Sequence, residues 1–194
     1  DSIGNDLDNC QCGYTAERDN YYANISYLYT QQHTSADNKA FLRQLPRTRI
    51  IQVEQTQILL CHGSPRKLNE FLWESTSPDH FLEPFFSQHA VDVIAVTHTG
   101  IKWQRQLPSG LFVNVGVLGR PENDGTTNVW YTILEMSGSK TSVEFVPVEY
   151  DYQQLAQDMQ NEQLPREFID TIKTGWWTTC LEVLPQKERT LGKH

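Results

Sequence analysis

Apolar positions in this chain gather in short runs that alternate with polar, turn-forming stretches. The run Ile58-Leu59-Leu60-Cys61 ends on His62 and is stopped by Gly63, and Val93-Ile94-Ala95-Val96 leads through Thr97 to His98 and is stopped by Gly100. Short, β-branched, uninterrupted runs of this kind predict strands in a sheet interior, the second buried on both faces. Strands are expected at 49–53, 58–62, 92–97, 111–115, 128–136 and 141–150. The first two form a hairpin about Glu54-Gln55-Thr56, and the last two form another about Ser137-Gly138-Ser139. Helices are expected at 16–32, at 35–45 with Ser35 as cap and Pro46 as stop, and at 79–88 behind a Ser77 cap and Pro78. Two more follow, one from Asp151 to about residue 161, with Gln154 completing a capping signature, and one over 165–174, closed by Gly175. Strands and helices interleave early, then strands and helices close the chain, so the fold class is α/β (α+β): a layered sandwich of mixed β-sheets flanked by helices.

Charge and composition narrow the partners. A formal charge of −8 argues against a nucleic-acid-binding surface, since such surfaces neutralise phosphates with Lys and Arg. The chain has no run of 18 apolar residues and no signal-peptide pattern, and the expectation is a cytoplasmic protein with no membrane segment. Four scattered cysteines do not make a secreted disulfide framework, and the close pair Cys10-Gln11-Cys12 reads as loop packing, with a metal or redox pair as the alternative. The polar, turn-rich opening from Asp1 to Asn9 reads as a loop that continues something upstream. The dense Trp176-Trp177 stretch reads as a tail packed onto the main body.

His62 and His98 carry the candidate chemistry. Each is placed at the carboxyl end of a strand, where α/β folds collect functional groups, and two neutral imidazoles at one rim are natural ligands for a transition metal. If they share one or two adjacent ions, they must lie within about 8 Å of each other. Asn114, Gly116 and Gly119 describe a strand ending in a tight turn. A sharper reading brings the backbone close to a site and lets Arg120 offer its guanidinium to a phosphate oxygen. Glu70, Trp73 and Glu74 read as a solvated loop, or as a substrate rim beside His62.

Four segments, in order, resemble the calcineurin-like metallophosphoesterase family, in particular a bacterial branch related to the small YfcE-type phosphodiesterases. Cys61-His62-Gly63-Ser64-Pro65-Arg66 resembles the family's strand-end His followed by Gly and a small residue, and Thr97-His98-Thr99-Gly100 resembles its Gly-His-x-His signature. The stretch from Phe112 to Pro121 looks like the family's Asn-x-Gly-Ser-x-Gly-x-Pro strand and turn, and Asn128 to Leu134 matches the strand that follows. The segment from Asp8 to Tyr14 is similar to the one just after the family's Gly-Asn-His/Tyr-Asp motif.

The resemblance implies a C-terminal portion of a metallophosphoesterase domain over 1–150 with a helical tail over 151–194 packed on it. It also implies hydrolysis of phosphomonoesters or phosphodiesters with two divalent ions (Mn, Fe, Zn or Ni). His62 and His98 would be ligands and catalytic residues, Asn114 and Arg120 would bind substrate, and an N-terminal segment or a separate chain would complete the site. Two departures matter: Gly100 stands where the second His belongs, and the family's Asp-x-His, Gly-Asn-His/Tyr-Asp and Gly-Asp motifs are absent from the 194 residues. They favour the alternative, a non-enzymatic binding or interaction domain on the same fold.

Overall fold

The computed structural model describes residues 2–138 and 140–190. Six of the seven strands lie where the apolar runs put them: β1 Thr48–Val53, β2 Thr56–Cys61, β3 Val93–Val96, β5 Gly110–Asn114, β6 Val129–Ser137 and β7 Lys140–Val148. The seventh, β4 Trp103–Leu107, has no counterpart among the expected strands. The first five form one sheet in the order β1-β2-β3-β5-β4, and β6 and β7 form a separate two-stranded sheet. Within the larger sheet β2, β3 and β5 run parallel, while β1 and β4 are added antiparallel at its two edges.

Alternation along the central strands divides the core into two layers, because successive side chains of a strand point to opposite faces. Leu59, Ile94, Val96 and Phe112 pack with Leu82, Phe85 and Phe86 of helix α3 Asp79–His89. Ile58, Val93, Leu111 and Val113 face the other way, against Leu134, Met136, Val143 and Phe145 of the β6–β7 hairpin. The fold is therefore a helix layer, a five-stranded sheet and a two-stranded sheet.

The helices start where side chains can satisfy their free N–H groups. Ser35 accepts from the Asn38 amide at the start of α2 Ala36–Gln44, and Asp151 accepts from Gln154 at the start of α4 Tyr152–Asn161. At α3 the expected Ser77 cap is replaced by Pro78, which carries no side-chain cap. Gly175, at φ +71°, closes α5 Arg166–Thr174, and an added Cβ there would come within 2.1 Å of the Thr126 carbonyl oxygen. A last short helix, α6, spans Gln186–Arg189. No helix among the described residues is long and apolar enough to cross a membrane.

Helix α1 Glu17–Gln32 is held by its ends and one buried ring rather than by an apolar stripe. Tyr27 donates to the carbonyls of Ser2 and Leu7, and Arg18 donates to the Thr178 carbonyl. The tail beyond α5 does pack inward. Trp177 is buried with Trp73, Ile101 and Leu184, its indole N–H donating to the Pro121 carbonyl and its amide to the Asn123 side chain.

Candidate functional site

β2 and β3 run side by side and in parallel, so the residues just past their carboxyl ends share one rim. His62 follows β2 directly, and His98 follows β3 after Thr97, whose amide donates to the His62 carbonyl. Their rings meet: His62 Nε2 stands 3.0 Å from His98 Nδ1, with ring centroids 4.9 Å apart. The expected closeness of the two imidazoles is thus observed.

The backbone at this rim is unusual in ways that serve the side chains. His98 has φ +81°, a value rare for a residue with a Cβ, and Gly100 follows at +79°. Such conformations persist only where the surroundings hold them, and they gather at functional sites. Here the hold comes from Asn114 at the end of β5, whose amide N–H donates to the Thr99 hydroxyl at 2.6 Å while its oxygen accepts from the Gly116 amide. Asn114 is 0% exposed, so it shapes the turn bearing His98 from beneath and offers no surface to a ligand. On the other side, Gly63 allows the chain to fold back after His62, since an added Cβ would sit 2.5 Å from the Leu68 carbonyl oxygen.

Hydrogen bonding sets the protonation pattern of the pair. His98 Nε2 lies 3.2 Å from the Cys12 carbonyl, which can only accept, so this nitrogen carries the proton. In neutral His98, Nδ1 is then an acceptor, and His62 Nε2 donates to it. Burial, then the neighbouring His62, lowers the His98 pKa to about 4, and burial also lowers that of His62. Both imidazoles are therefore neutral at pH 7, the form that binds metals. The adjacent Cys61 thiol is pushed up to about 12 by burial and is not a nucleophile at neutral pH.

The pair fits part of a metal site. Two nitrogens about 2.1 Å from one tetrahedral ion stand about 3.4 Å apart, so the hydrogen-bonded pair at 3.0 Å would open by a few tenths of an ångström, and His62 Nε2 would give up its proton, to share one. The outer N–H of His98 bound to a backbone carbonyl is the arrangement that orients a ligating imidazole. Among the described residues, however, no group of three or more His, Cys, Asp or Glu is placed to hold a metal ion. Asp92 is engaged elsewhere, accepting from the Gln57 amide.

Gly100 shows what occupies the place of a second histidine. A Cβ there would point at the Trp177 ring, 3.3 Å away, and at Arg120 Nη2, 3.5 Å away. Arg120 lies flat on Trp177, its guanidinium carbon 3.4 Å from the ring centroid. The structure thus brings His62, His98 and the turn carrying Gly100 and Arg120 to one region, with Asn114 behind it.

Several contributors leave little mark in the sequence. Cys12 acts through its carbonyl, and any residue type has one. It is also joined to Cys10 by a disulfide, which departs from the loop-packing reading of this pair and matches the redox-pair alternative. Phe71, in the loop read as solvated, packs 4.5 Å from the His98 ring and stacks on Trp73. Glu70 pairs with Arg66 and Glu74 with Lys187, so the acidic residues of that loop are spent on ion pairs.

No sequence-family model matches the chain, and no curated protein matches it. Solved structures do. Hypothetical protein PH1004 from Pyrococcus horikoshii OT3 superposes with a TM-score of 0.69 at 18% identity, over 84% of this chain and 68% of that one. A metallophosphoesterase from Sphaerobacter thermophilus superposes with a TM-score of 0.60 at 20% identity, over 84% of this chain and 72% of that one. The five-stranded mixed sheet with its flanking helices matches the metallophosphoesterase-type fold.

Proposed function

We propose that this chain carries part of the centre of a metal-dependent phosphoester hydrolase acting on phosphomonoesters or phosphodiesters. The observation that carries the reading is the 3.0 Å approach of His62 Nε2 to His98 Nδ1, with the far nitrogen of His98 tied to the Cys12 carbonyl. His62 and His98 would supply two nitrogens to one of two divalent ions, of the Mn, Fe, Zn or Ni kind. The remaining ligands would come from beyond these residues, in an N-terminal segment or a second chain. When bound, such ions lower the pKa of water and draw charge from the phosphoryl oxygens. Arg120, held flat by Trp177, is available to a phosphate oxygen, and Asn114 keeps the His98 turn in the conformation that aims its ring.

The test is hydrolysis of bis-p-nitrophenyl phosphate and p-nitrophenyl phosphate with added Mn, Fe, Zn or Ni. The 194-residue chain alone is expected to bind these metals weakly and to show no turnover above background, because two nitrogens fill half of a tetrahedral site at most. Joined to a segment or partner that carries the absent Asp-x-His, Gly-Asp and Gly-Asn-His/Tyr-Asp motifs, it is expected to turn over. His62→Ala or His98→Ala should then lower kcat/KM by roughly 10²-fold or more. A completed protein that is inert with all four metals, or active without both histidines, rejects the reading. A second reading, a non-enzymatic interaction domain on this fold, is favoured by Gly100 and by the absence of a third ligand among the described residues.

A further inference from the structure

We propose that the cavity enclosed by α1, α5 and the loop around the Cys10–Cys12 disulfide takes the organic group of an apolar phosphodiester, with Arg120 meeting its anionic end. The inference deepens the hydrolase reading by naming a substrate class, and it rests on that reading only for what happens to the ester after it is bound.

The cavity has a volume of about 430 Å³, within the range of small-molecule sites. Tyr22, Tyr27, Met159, Phe168 and Ile172 supply much of its wall, and among the described residues lining it Arg120 alone carries a charge. In a chain of net charge −8, Arg120 has no carboxylate partner among the described residues. A half-buried guanidinium without a carboxylate partner, lying over Trp177 at the edge of an apolar wall, complements a single negative charge. Two further wall residues, Ser26 and Thr179, have hydroxyls that bond to nothing in the described residues and remain available to ester oxygens.

The cavity backs directly onto the histidine pair through two shared residues. Cys12 lines it while the Cys12 carbonyl receives the His98 N–H, and Arg120 lines it while Nη2 reaches the Gly100 turn. Ligand charge follows from the single cation. A phosphodiester carries one negative charge at neutral pH, whereas a phosphomonoester carries nearly two, and the second would be desolvated against aromatic rings without compensation. An ester with ring or alkyl substituents gives the apolar wall something to cover and gives Arg120 one charge to neutralise.

The experiment is calorimetric titration of the metal-free 194-residue chain with diphenyl phosphate, phenyl phosphate and inorganic phosphate. Diphenyl phosphate is expected to bind at least about tenfold more tightly than phenyl phosphate, with inorganic phosphate weaker still. Ala23→Trp, which fills the cavity from α1, should abolish binding, as should Ser26→Phe at the exposed lip, with folding checked by circular dichroism. Arg120→Gln should weaken it by about tenfold or more. Equal binding of all three ligands, no binding of diphenyl phosphate, or binding indifferent to the filling variants and to Arg120→Gln overturns the proposal. If neither filling variant folds, the ester series and Arg120→Gln decide. Because the readout is binding without metal, a failure here leaves the turnover test untouched, and inert metal-loaded protein leaves this one untouched.

Discussion

His98 is held neutral by its surroundings, and that has a pH consequence. Its folded pKa of about 4 lies below the ordinary 6.5, so between these values the unfolded chain binds more protons than the folded one. The stability this histidine contributes is fully present above pH 6.5, falls as the pH drops, and is gone below about 4. Denaturation midpoints measured from pH 7.5 to 4 should therefore decline, and His98→Gln, which does not titrate, should flatten the decline in that window. An unchanged slope in the variant means that other groups set it. At this scale the sequence was most legible where a side chain ends an apolar run, which is why His62 and His98 stood out. Arg120 was legible only through its setting after Gly116 and Gly119, while the Cys12 carbonyl and the Trp177 platform depend on contacts made across the whole chain.

Among the elements, α1 carries a buried acid that faces a second one. Asp19 is 1% exposed, and although the backbone amides of Cys180 and Val183 face its carboxylate, both oxygens are left without a hydrogen bond of good geometry. Its neighbour is the carboxylate of Glu182, and two carboxylates can bond only by sharing a proton. Burial first, then Glu182, raises Asp19 to about 6 while Glu182 is lowered. With a folded value above the ordinary 3.8, the contribution of Asp19 is fully present below pH 3.8 and is lost as pH rises through about 6. Asp19→Asn, which keeps a donor at all pH values, should stabilise the protein at pH 7.5 by roughly 1–2 kcal/mol and make little difference near pH 4. Equal denaturation midpoints for variant and parent at pH 7.5 would remove the acid pair from the account.

Element boundaries were read well where caps and apolar runs agree, as at Ser35, Asp151 and Gly175. β4 was missed because Arg105 stands between Trp103 and Leu107 on the inward face, its guanidinium reaching out to the carbonyls of Ser77 and Glu74. A charged residue in a core-facing register hides a strand. α6, at four residues, is too short to show a period.

For the molecule as a whole, the segment after α5 ties together parts of the chain that are distant in sequence. Thr178 receives Arg18 of α1, Trp177 receives support from Pro121 and Asn123, and the buried Glu188 carboxylate accepts from both the amide and the hydroxyl of Ser75. Trp177→Ala should cost about 3–5 kcal/mol in chemical denaturation, since it empties a packed ring site and removes two anchors of the tail. It should also release Arg120 from its stacked position. A loss below about 1 kcal/mol would show that the tail does not depend on this ring.

The platform beneath Arg120 has a consequence for the order in which the molecule comes into being. A ribosome delivers the N-terminal part first, so both imidazoles and the five strands of the main sheet leave the exit tunnel long before Trp177. A nascent chain halted before Gly175 carries both histidines and lacks the ring against which the guanidinium lies. If Arg120 meets an anion as proposed, that role waits on a ring made after both imidazoles, and a chain cut before the tail would keep the histidine pair without the platform.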